Sequence, residues 1–338
     1  MSDAKPVRIS LDEATDYCIR VLCDHSTSPA NAEPVARALV AAEADGLAGH
    51  GLSRLESYVG QAATGKVDGF AVPVVDDRAP AVIAIDAANG FAYPAIDIAA
   101  QTLPTRARIF GMAAATIFRS HHCGAAGLTV ERLAKAGFAA LMFANTPEAI
   151  APAGGTRPVF GTNPIAFAAP LLGRPPLVID LSLSTVARGN ILKAKQEGKA
   201  IPEGWAFDAD GKPTTDPEKA LAGTMAALGG AKGTALALMV EVMAAGMTSA
   251  HFAFEASSFF TAEGPPPGTG QFIVAFDPVA FAGEKYGMRM ATLVAEIESQ
   301  DGARLPGTRR LENREHAADT GIILPPAVIA AFGLPEKA

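Results

Sequence analysis

Between residues 112 and 197 the chain alternates between strand-like and helix-like runs, and this alternation restricts the fold more than any other feature of the sequence. Residues 112–118 form an apolar strand-like run, 125–136 are helical in pattern, and 138–144 read as a strand again. Residues 164–169 and 177–179 add two further strands and 186–197 another helix. Strands and helices that alternate in sequence bury their apolar faces by packing helices on a sheet, so an α/β architecture is expected.

The two ends of the chain read differently. Ser10-Leu11-Asp12-Glu13 has the pattern of a capping box, and Leu11, Ala14, Tyr17, Cys18, Val21 and Leu22 then recur at helical spacing. Ser28-Pro29 opens a second helix with Val35, Leu39 and Val40 on its buried side, expected to end near Asp45-Gly46. A third runs through Leu55 and Tyr58 to about Thr64. Residues 71–75 and 81–85 look like short strands before an Asn89-Gly90 turn, and 93–107 and 232–245 look helical. Residues 198–218 read as a surface loop around Trp205, 261–270 as a mobile proline-rich connection, and 272–276 as a strand leading into one helix over 279–298. The expectation is an α/β domain over 109–277, inserted between 1–108 and 278–338, which together make a second domain.

The hydrophobic content of 49% and charged content of 19% fit a globular chain of 338 residues. A net charge of -7 without a long basic cluster argues against a nucleic-acid partner. The three cysteines, Cys18, Cys23 and Cys123, form no paired framework and fit a reducing compartment. Residues 1–8 are polar rather than a signal core, and the longest apolar run, 233–247, is interrupted by Glu241 and too short for a bilayer. A soluble cytoplasmic protein without a membrane partner is expected.

One run carries chemistry: Asp45-Gly46-Leu47-Ala48-Gly49-His50-Gly51-Leu52-Ser53-Arg54. If the chain is helical after Gly51, His50 and Arg54 lie four residues apart on one face. An imidazole can pass a proton near neutral pH and a guanidinium grips a carboxylate with two prongs, so the pair suits a small carboxylic acid. A helix-capping His50 and a solvated Arg54 would read the same way. The dinucleotide turn fingerprint is missing: Gly49-His50-Gly51-Leu52-Ser53-Arg54 does not follow a strand, and Gly268-Thr269-Gly270 leads into a strand. A nucleotide site must be built otherwise. In Ser120-His121-His122-Cys123-Gly124-Ala125-Ala126-Gly127, between a strand and a helix, backbone N–H groups at the helix start can hold phosphate, or the run simply makes a tight turn. No carboxylate cluster or i, i+4 partner completes a metal site with the two histidines, and no metal is expected. Asn145-Thr146-Pro147 and Gly161-Thr162-Asn163-Pro164 offer short hydrogen bonds to a carboxylate or amide, or close turns. Asp180 ends an apolar strand where it could meet a ribose or nicotinamide, or cap the next helix.

From Glu43 to Arg54 the chain resembles the Asp-x-x-Gly-x-x-Ser-His-Gly-x-x-Arg signature of the second type of malate/L-lactate dehydrogenase, with Glu43 in place of the leading Asp. This family includes ureidoglycolate and sulfolactate dehydrogenases and cyclic ketimine reductases, and is distinct from the Rossmann-type dehydrogenases. Three further blocks follow in the family's order: the Ser120-His121-His122 run; residues 145–190; and Gly229-Gly230-Ala231-Lys232-Gly233 together with Arg304-Leu305-Pro306-Gly307-Thr308-Arg309-Arg310. The resemblance implies a non-Rossmann NAD(P)-binding mixed-sheet domain of the L-sulfolactate dehydrogenase type over 109–277, usually in a homodimer. It implies His50 as proton donor, Arg54 as carboxylate anchor, and Thr162, Arg188 and Gly189 near the substrate. It also implies His122, Cys123, Gly124, Ala125, Ala126, Asp180, Leu181, Ser182, Ala231, Lys232 and the run from Arg304 to Arg310 along the cofactor. A 2′-phosphate grip by Arg309 or Arg310 favours NADP over NAD.

Two departures bear on His50. Gly49 stands where the family usually has Ser, and Asn190 where its ketimine reductases have Asp. Asn190 can orient His50 but cannot stabilise an imidazolium by charge, so a less basic His50 is expected. The reaction implied is hydride transfer to or from the carbon beside a carboxylate, on a 2-oxo acid or on a cyclic imine. Ser120-His121-His122 favours the imine branch and Asn190 the other. A cofactor-binding protein that has lost catalysis is the alternative.

Overall fold

A computed structural model describes residues 7–335; residues 1–6, from the polar N-terminal stretch, and 336–338 lie outside the described residues. The N-terminal part is β1 (Arg8–Ile9), α1 (Leu11–Cys23), α2 (Pro29–Ala44) and α3 (Leu55–Ala63). The capping box at α1 is formed: Ser10 Oγ accepts from the Glu13 N–H at 3.2 Å, and Glu13 Oε2 accepts from the Ser10 N–H at 2.8 Å. Next come β2 (Val74–Ala79), β3 (Val82–Asp86), α4 (Ala92–Phe110), β4 (Met112–Ser120), α5 (Ala126–Lys135), β5 (Ala139–Ala144), β6 (Ile165–Leu171) and β7 (Arg174–Leu181). They are followed by α6 (Arg188–Gln196), β8 (Ala206–Phe207), β9 (Pro213–Thr214), α7 (Pro217–Ala222), β10 (Thr224–Met225) and α8 (Ala231–Glu241), which runs into a wider turn over Val242–Gly246. The chain closes with β11 (Thr269–Phe276), α9 (Pro278–Ala282), α10 (Tyr286–Glu298), α11 (Thr308–Thr320), β12 (Ile322–Ile323) and α12 (Pro326–Phe332).

The expected α/β sheet is present and mixed. Its seven strands lie in the order β2-β3-β4-β11-β5-β6-β7. β3 and β4 are parallel, joined over α4 as a parallel pair requires, and the remaining neighbours are antiparallel. One face of the sheet buries Ile83, Ile117, Met142 and Ile273 with Val130 and Leu133 of α5. The other buries Phe143, Phe272 and Val274 with Ile191 of α6 and Val240 of α8. A third core joins the chain ends, with Tyr17, Leu22, Leu39, Leu55 and Tyr58 packed beside Ala317, Ile322, Leu324 and Val328. β1 pairs with β12 across the same junction. The sheet also takes in β2 and β3, with α4 packed on it, so residues 74–110 lie with the sheet although their sequence position is among the N-terminal helices.

Three local expectations are corrected. The strand placed at 71–75 begins at Val74 and continues through Asp76, Asp77 and Arg78, an exposed, charged edge of the kind that discourages pairing with another sheet. Residues 198–218 are not a bare loop: β8, β9 and β10 form a small antiparallel sheet closed by α7, whose Asp216 carboxylate accepts from the Glu218 N–H. The single helix expected over 279–298 is broken at Gly283, where φ is 59°. Among the described residues no helix is long and apolar enough to cross a membrane.

Candidate active site

His50 and Arg54 come together, but not on one helix. After α2 the chain makes a 3-10 turn over Ala48–His50, extends at Gly51, and makes a second 3-10 turn over Leu52–Arg54. The Glu43 carboxylate at the end of α2 accepts from the Leu52 N–H at 2.9 Å, and a Cβ at Gly51 would sit 2.2 Å from the same Oε2. An acid at 43 and a glycine at 51 are therefore one device that starts the second turn. Arg54 Nε donates to the Gly49 carbonyl at 2.7 Å, and the guanidinium lies 4.6 Å from the Phe260 ring centroid. A Cβ at Gly49 would meet nothing within 4 Å, so the missing serine is not a steric requirement.

The His50 ring stacks on His122, with centroids 5.3 Å apart and planes within 9°. His122 Nδ1 lies 2.6 Å from the Tyr58 hydroxyl, which is 3.0 Å from that of Tyr93. His121 turns away, with Nε2 2.7 Å from Gln61 Oε1. Burial, then the nearby Arg54 cation, pushes His50 down to about 4. Burial, then Lys66 and Arg54, pushes His121 down to about 3, and His122 is lowered strongly by burial, Arg54 and the neighbouring imidazoles. All three rings are thus neutral at pH 7. The low basicity of His50 has burial and Arg54 as its causes, and Asn190 is not among them. Asn190 is exposed on the first turn of α6, and among the described residues His50 Nδ1 has no hydrogen-bond partner.

The segment expected along the cofactor leads from His122 into α5. Burial, then the Asp180 carboxylate, raises the Cys123 thiol to about 12, which removes it as a nucleophile. Gly124 has φ of 67° and a Cβ there would stand 2.6 Å from the Tyr93 hydroxyl, so only glycine passes. Ala125 and Ala126 open α5 without a side-chain cap from their own segment. The cap comes from β7 instead: Asp180 Oδ2 accepts from the Gly127 N–H at 2.7 Å. Asp180 therefore caps α5 rather than the following helix, and occupies one of the donors expected to be open to phosphate. Burial raises its carboxyl, opposed by Gly127 and Arg310.

The other blocks divide into those that face inward and those that stay open. Asn145 and Asn163 do find a carboxylate, but it is the chain's own: buried Glu241 accepts from Asn145 Nδ2 at 3.1 Å and Asn163 Nδ2 at 2.7 Å. Thr162 packs against Thr146, their hydroxyls 3.2 Å apart, and its carbonyl receives the Leu183 N–H. Leu181 is exposed and Ser182 Oγ lies 2.7 Å from Ser184 Oγ. Arg188, with Gly189 at the start of α6, is lowered by burial and held up by Glu148. Ala231 and Lys232 are exposed at the start of α8, just after Gly229 and Gly230 at φ of 69° and 63°.

In the Arg304-to-Arg310 run, Leu305 is buried, Thr308 Oγ1 donates back to its carbonyl, and Gly307 (φ 88°) passes close to Val178 of β7. Arg304, Pro306 and Arg309 are exposed. Arg310 is committed elsewhere: it pairs with Asp45 at 3.4 Å and Glu131 at 3.2 Å, beside Arg314, which bonds both carboxylates at 2.7–2.9 Å.

Sequence reasoning used Tyr58 only to trace the third helix and did not use Phe259, Phe260, Gln61 or Lys66. The signal for Tyr58 was present, four residues beyond Arg54 on the same helix face. Nothing in the sequence placed Phe260, some two hundred residues away, over Arg54.

The model of the malate/L-lactate dehydrogenase family matches residues 9–332. The chain is 50% identical to the (2R)-3-sulfolactate dehydrogenase (NADP(+)) of Chromohalobacter salexigens, over 95% of this chain and 96% of that one. It is 39% identical to a Delta(1)-pyrroline-2-carboxylate/Delta(1)-piperideine-2-carboxylate reductase of Pseudomonas syringae pv. tomato, over 96% and 94%. The fold is that of the crystal structure of delta1-piperideine-2-carboxylate reductase from P. syringae pv. tomato, with a TM-score of 0.91 at 38% identity over 97% and 99% of the two chains. It also matches sulfolactate dehydrogenase from Methanocaldococcus jannaschii, with a TM-score of 0.87 at 27% identity over 97% and 98%. With the match covering nearly its whole length, the chain belongs to the malate/L-lactate dehydrogenase family.

Proposed function

We propose that this chain interconverts a small 2-hydroxy acid carrying a second acidic group, such as 3-sulfolactate, with its 2-oxo acid, using NADP. It is an NAD(P)-dependent oxidoreductase of 2-hydroxy or 2-imino acids, with NADP favoured by its relatives. The observation that carries the finer reading is the pairing of His50 and Arg54 on consecutive 3-10 turns, with His50 stacked on the first residue of the segment expected along the cofactor. Arg54 anchors the carboxylate, since its Nη atoms meet no acceptor among the described residues and a two-pronged grip fixes the neighbouring carbon. Neutral His50 takes the proton from the substrate hydroxyl in oxidation and returns it in reduction. Arg188, a second partly buried cation, holds the second acidic group, and Thr162 and Gly189 complete that side. Asn190 orients His50 once substrate is in place.

The nicotinamide supplies the hydride when bound. Its phosphates fit the exposed start of α8, where Lys232 follows two glycines and Gly230 leaves the first N–H groups without a side-chain cap. Arg309 and Arg304 are the cations open to a 2′-phosphate, and His122 to Ala126, Asp180 to Ser182 and Leu305 to Thr308 shape the rest. We further propose a cytoplasmic homodimer: α8 leaves Leu236, Leu238 and Met239, and the wider turn after it Val242, open to solvent, a face suited to a second copy. The sheet body and the body made by the chain ends act as cofactor and substrate domains.

A cyclic imine is the second reading, favoured by Ser120-His121-His122 and by the reductases at 39% identity. The test is turnover of NADPH with 3-sulfopyruvate, oxaloacetate, pyruvate and Δ1-pyrroline-2-carboxylate by wild type, His50→Ala and Arg54→Ala. The proposal expects the sulfonated oxo acid to have the highest kcat/KM, a lower kcat in the first variant and a raised KM in the second. Highest kcat/KM on the imine establishes the second reading, and cofactor binding without turnover of any acid leaves a binding protein.

A further inference from the structure

The segment following the Ser257 region is fastened to the end of α3 by its own carbonyl groups. Lys66, 2% exposed, donates its ammonium to the carbonyls of Ser258 (2.6 Å), Thr261 (3.0 Å) and Glu263 (3.1 Å) and to Thr261 Oγ1 (3.3 Å). Gln61 Nε2 donates to the carbonyls of Phe259 (2.9 Å) and Thr261 (3.0 Å), and Thr64 Oγ1 to that of Ala262 (2.7 Å). A buried ammonium is costly unless its donors are satisfied, and here backbone and hydroxyl oxygens accept from it, with the Glu263 charge nearby favouring its protonated form. The chain leading into the expected mobile connection is therefore held at five of the six positions from residue 258 to 263, all but Phe260.

The clamp presents two aromatic rings to the site. Phe259 stands edge-on to both His121 and His122 at 5.3 Å. Phe260 is 47% exposed, so packing does not account for it, and its ring faces the Arg54 guanidinium at 4.6 Å. Arg54 Nε is already bound to the Gly49 carbonyl. With one face covered and Nε engaged, the edge carrying Nη1 and Nη2 is what remains for a ligand.

We infer that Phe260 is the positioning residue of the carboxylate anchor: held by the Lys66 and Gln61 clamp, it covers one face of Arg54 so that the guanidinium meets the substrate through its Nη edge alone. This rests on the reading of Arg54 as the anchor. A cation over an aromatic face is worth enough that losing the ring while keeping its bulk should weaken substrate binding about threefold to thirtyfold. The ring is half exposed and its replacement leaves the folded core intact.

The experiment compares Phe260→Leu, Phe260→Tyr and Arg54→Ala in the full chain, measuring KM for NADPH and for the acid of the panel above that wild type turns over fastest. Phe260→Leu is expected to raise the acid's KM about tenfold and leave that of NADPH within about twofold, while Phe260→Tyr, which keeps the ring, stays within about twofold for both. The inference is overturned if Arg54→Ala raises the acid's KM and Phe260→Leu does not, or if Phe260→Leu raises the two KM values equally, as a merely structural residue would. If Arg54→Ala leaves the acid's KM unchanged, the anchor reading falls and this inference with it.

Discussion

Replacing Arg54 by Met should make His50 more basic, and the structure sets how far. His50 lies at about 4 instead of the usual 6.5, with burial the larger cause and the Arg54 cation the second. That displacement favours the neutral form of the ring by about 3 kcal/mol, so only about one molecule in a thousand carries the proton at pH 7 in the free enzyme. Reduction needs the protonated ring, so its kcat/KM should fall about tenfold per pH unit above about 4; oxidation needs the neutral ring, so its kcat/KM should rise through about 4 and stay level above it. Removing the Arg54 charge relieves only the second cause, so His50 should move part of the way back toward 6.5. A carboxylate bound to Arg54 should move it in the same direction, loading the proton when substrate arrives. The assay is an NMR titration of the histidine ring carbons, with His50→Gln to assign the signal. A His50 that titrates near 6.5 in the wild type, or one that Arg54→Met leaves where it was, would refute this reasoning.

Two further outcomes follow from charges elsewhere. Burial raises the Glu131 carboxyl, but hydrogen bonds from Arg314 and the charges of Arg310, Arg314 and Lys135 outweigh it and bring the group down to about 2. Its contribution is therefore full above 4.5 and lost as pH falls toward 2, so Glu131→Gln should cost about 3 kcal/mol in urea unfolding at pH 7, a gap that closes across that interval; a pH-independent difference would contradict it. Arg309→Ala should raise the KM for NADPH about tenfold or more and spare that for NADH, whereas Arg310→Ala should lower the unfolding midpoint by uncovering Asp45 and Glu131. Equal effects of both variants on NADPH would show that the two arginines share the phosphate.

What was legible in the sequence was whatever short-range chemistry controls. The capping box at Ser10 and the strands from residue 112 to 144 follow from periodicity and from end caps within a few residues. The nearness of His50 to Arg54 was also legible, though for a different reason than helical spacing: Gly51 is extended, and two 3-10 turns that Glu43 organises bring the Arg54 charge close enough to act on His50. Partners distant in sequence were not legible. Asn145 and Asn163 are built to face a carboxylate, and nothing local says that it is Glu241, some ninety residues on, rather than a ligand. Asp180 could satisfy any nearby helix start, and the antiparallel pairing that carries it to α5 is a property of the whole sheet. Arg310 looked like a phosphate ligand because its carboxylate partners come from α5 and the end of α2. The two-residue strands β8, β9 and β10 are too short for any periodicity to show.

The most direct measurement is a crystal structure with NADP and a non-reactive analogue of the oxo acid bound. The account predicts the analogue's carboxylate on the Nη edge of Arg54, its C2 substituent within hydrogen-bonding reach of His50, and the nicotinamide on the opposite face of C2 along the segment from His122 to Ala126. An analogue whose carboxylate rests on another cation, or a nicotinamide remote from the stacked pair of imidazoles, would contradict it.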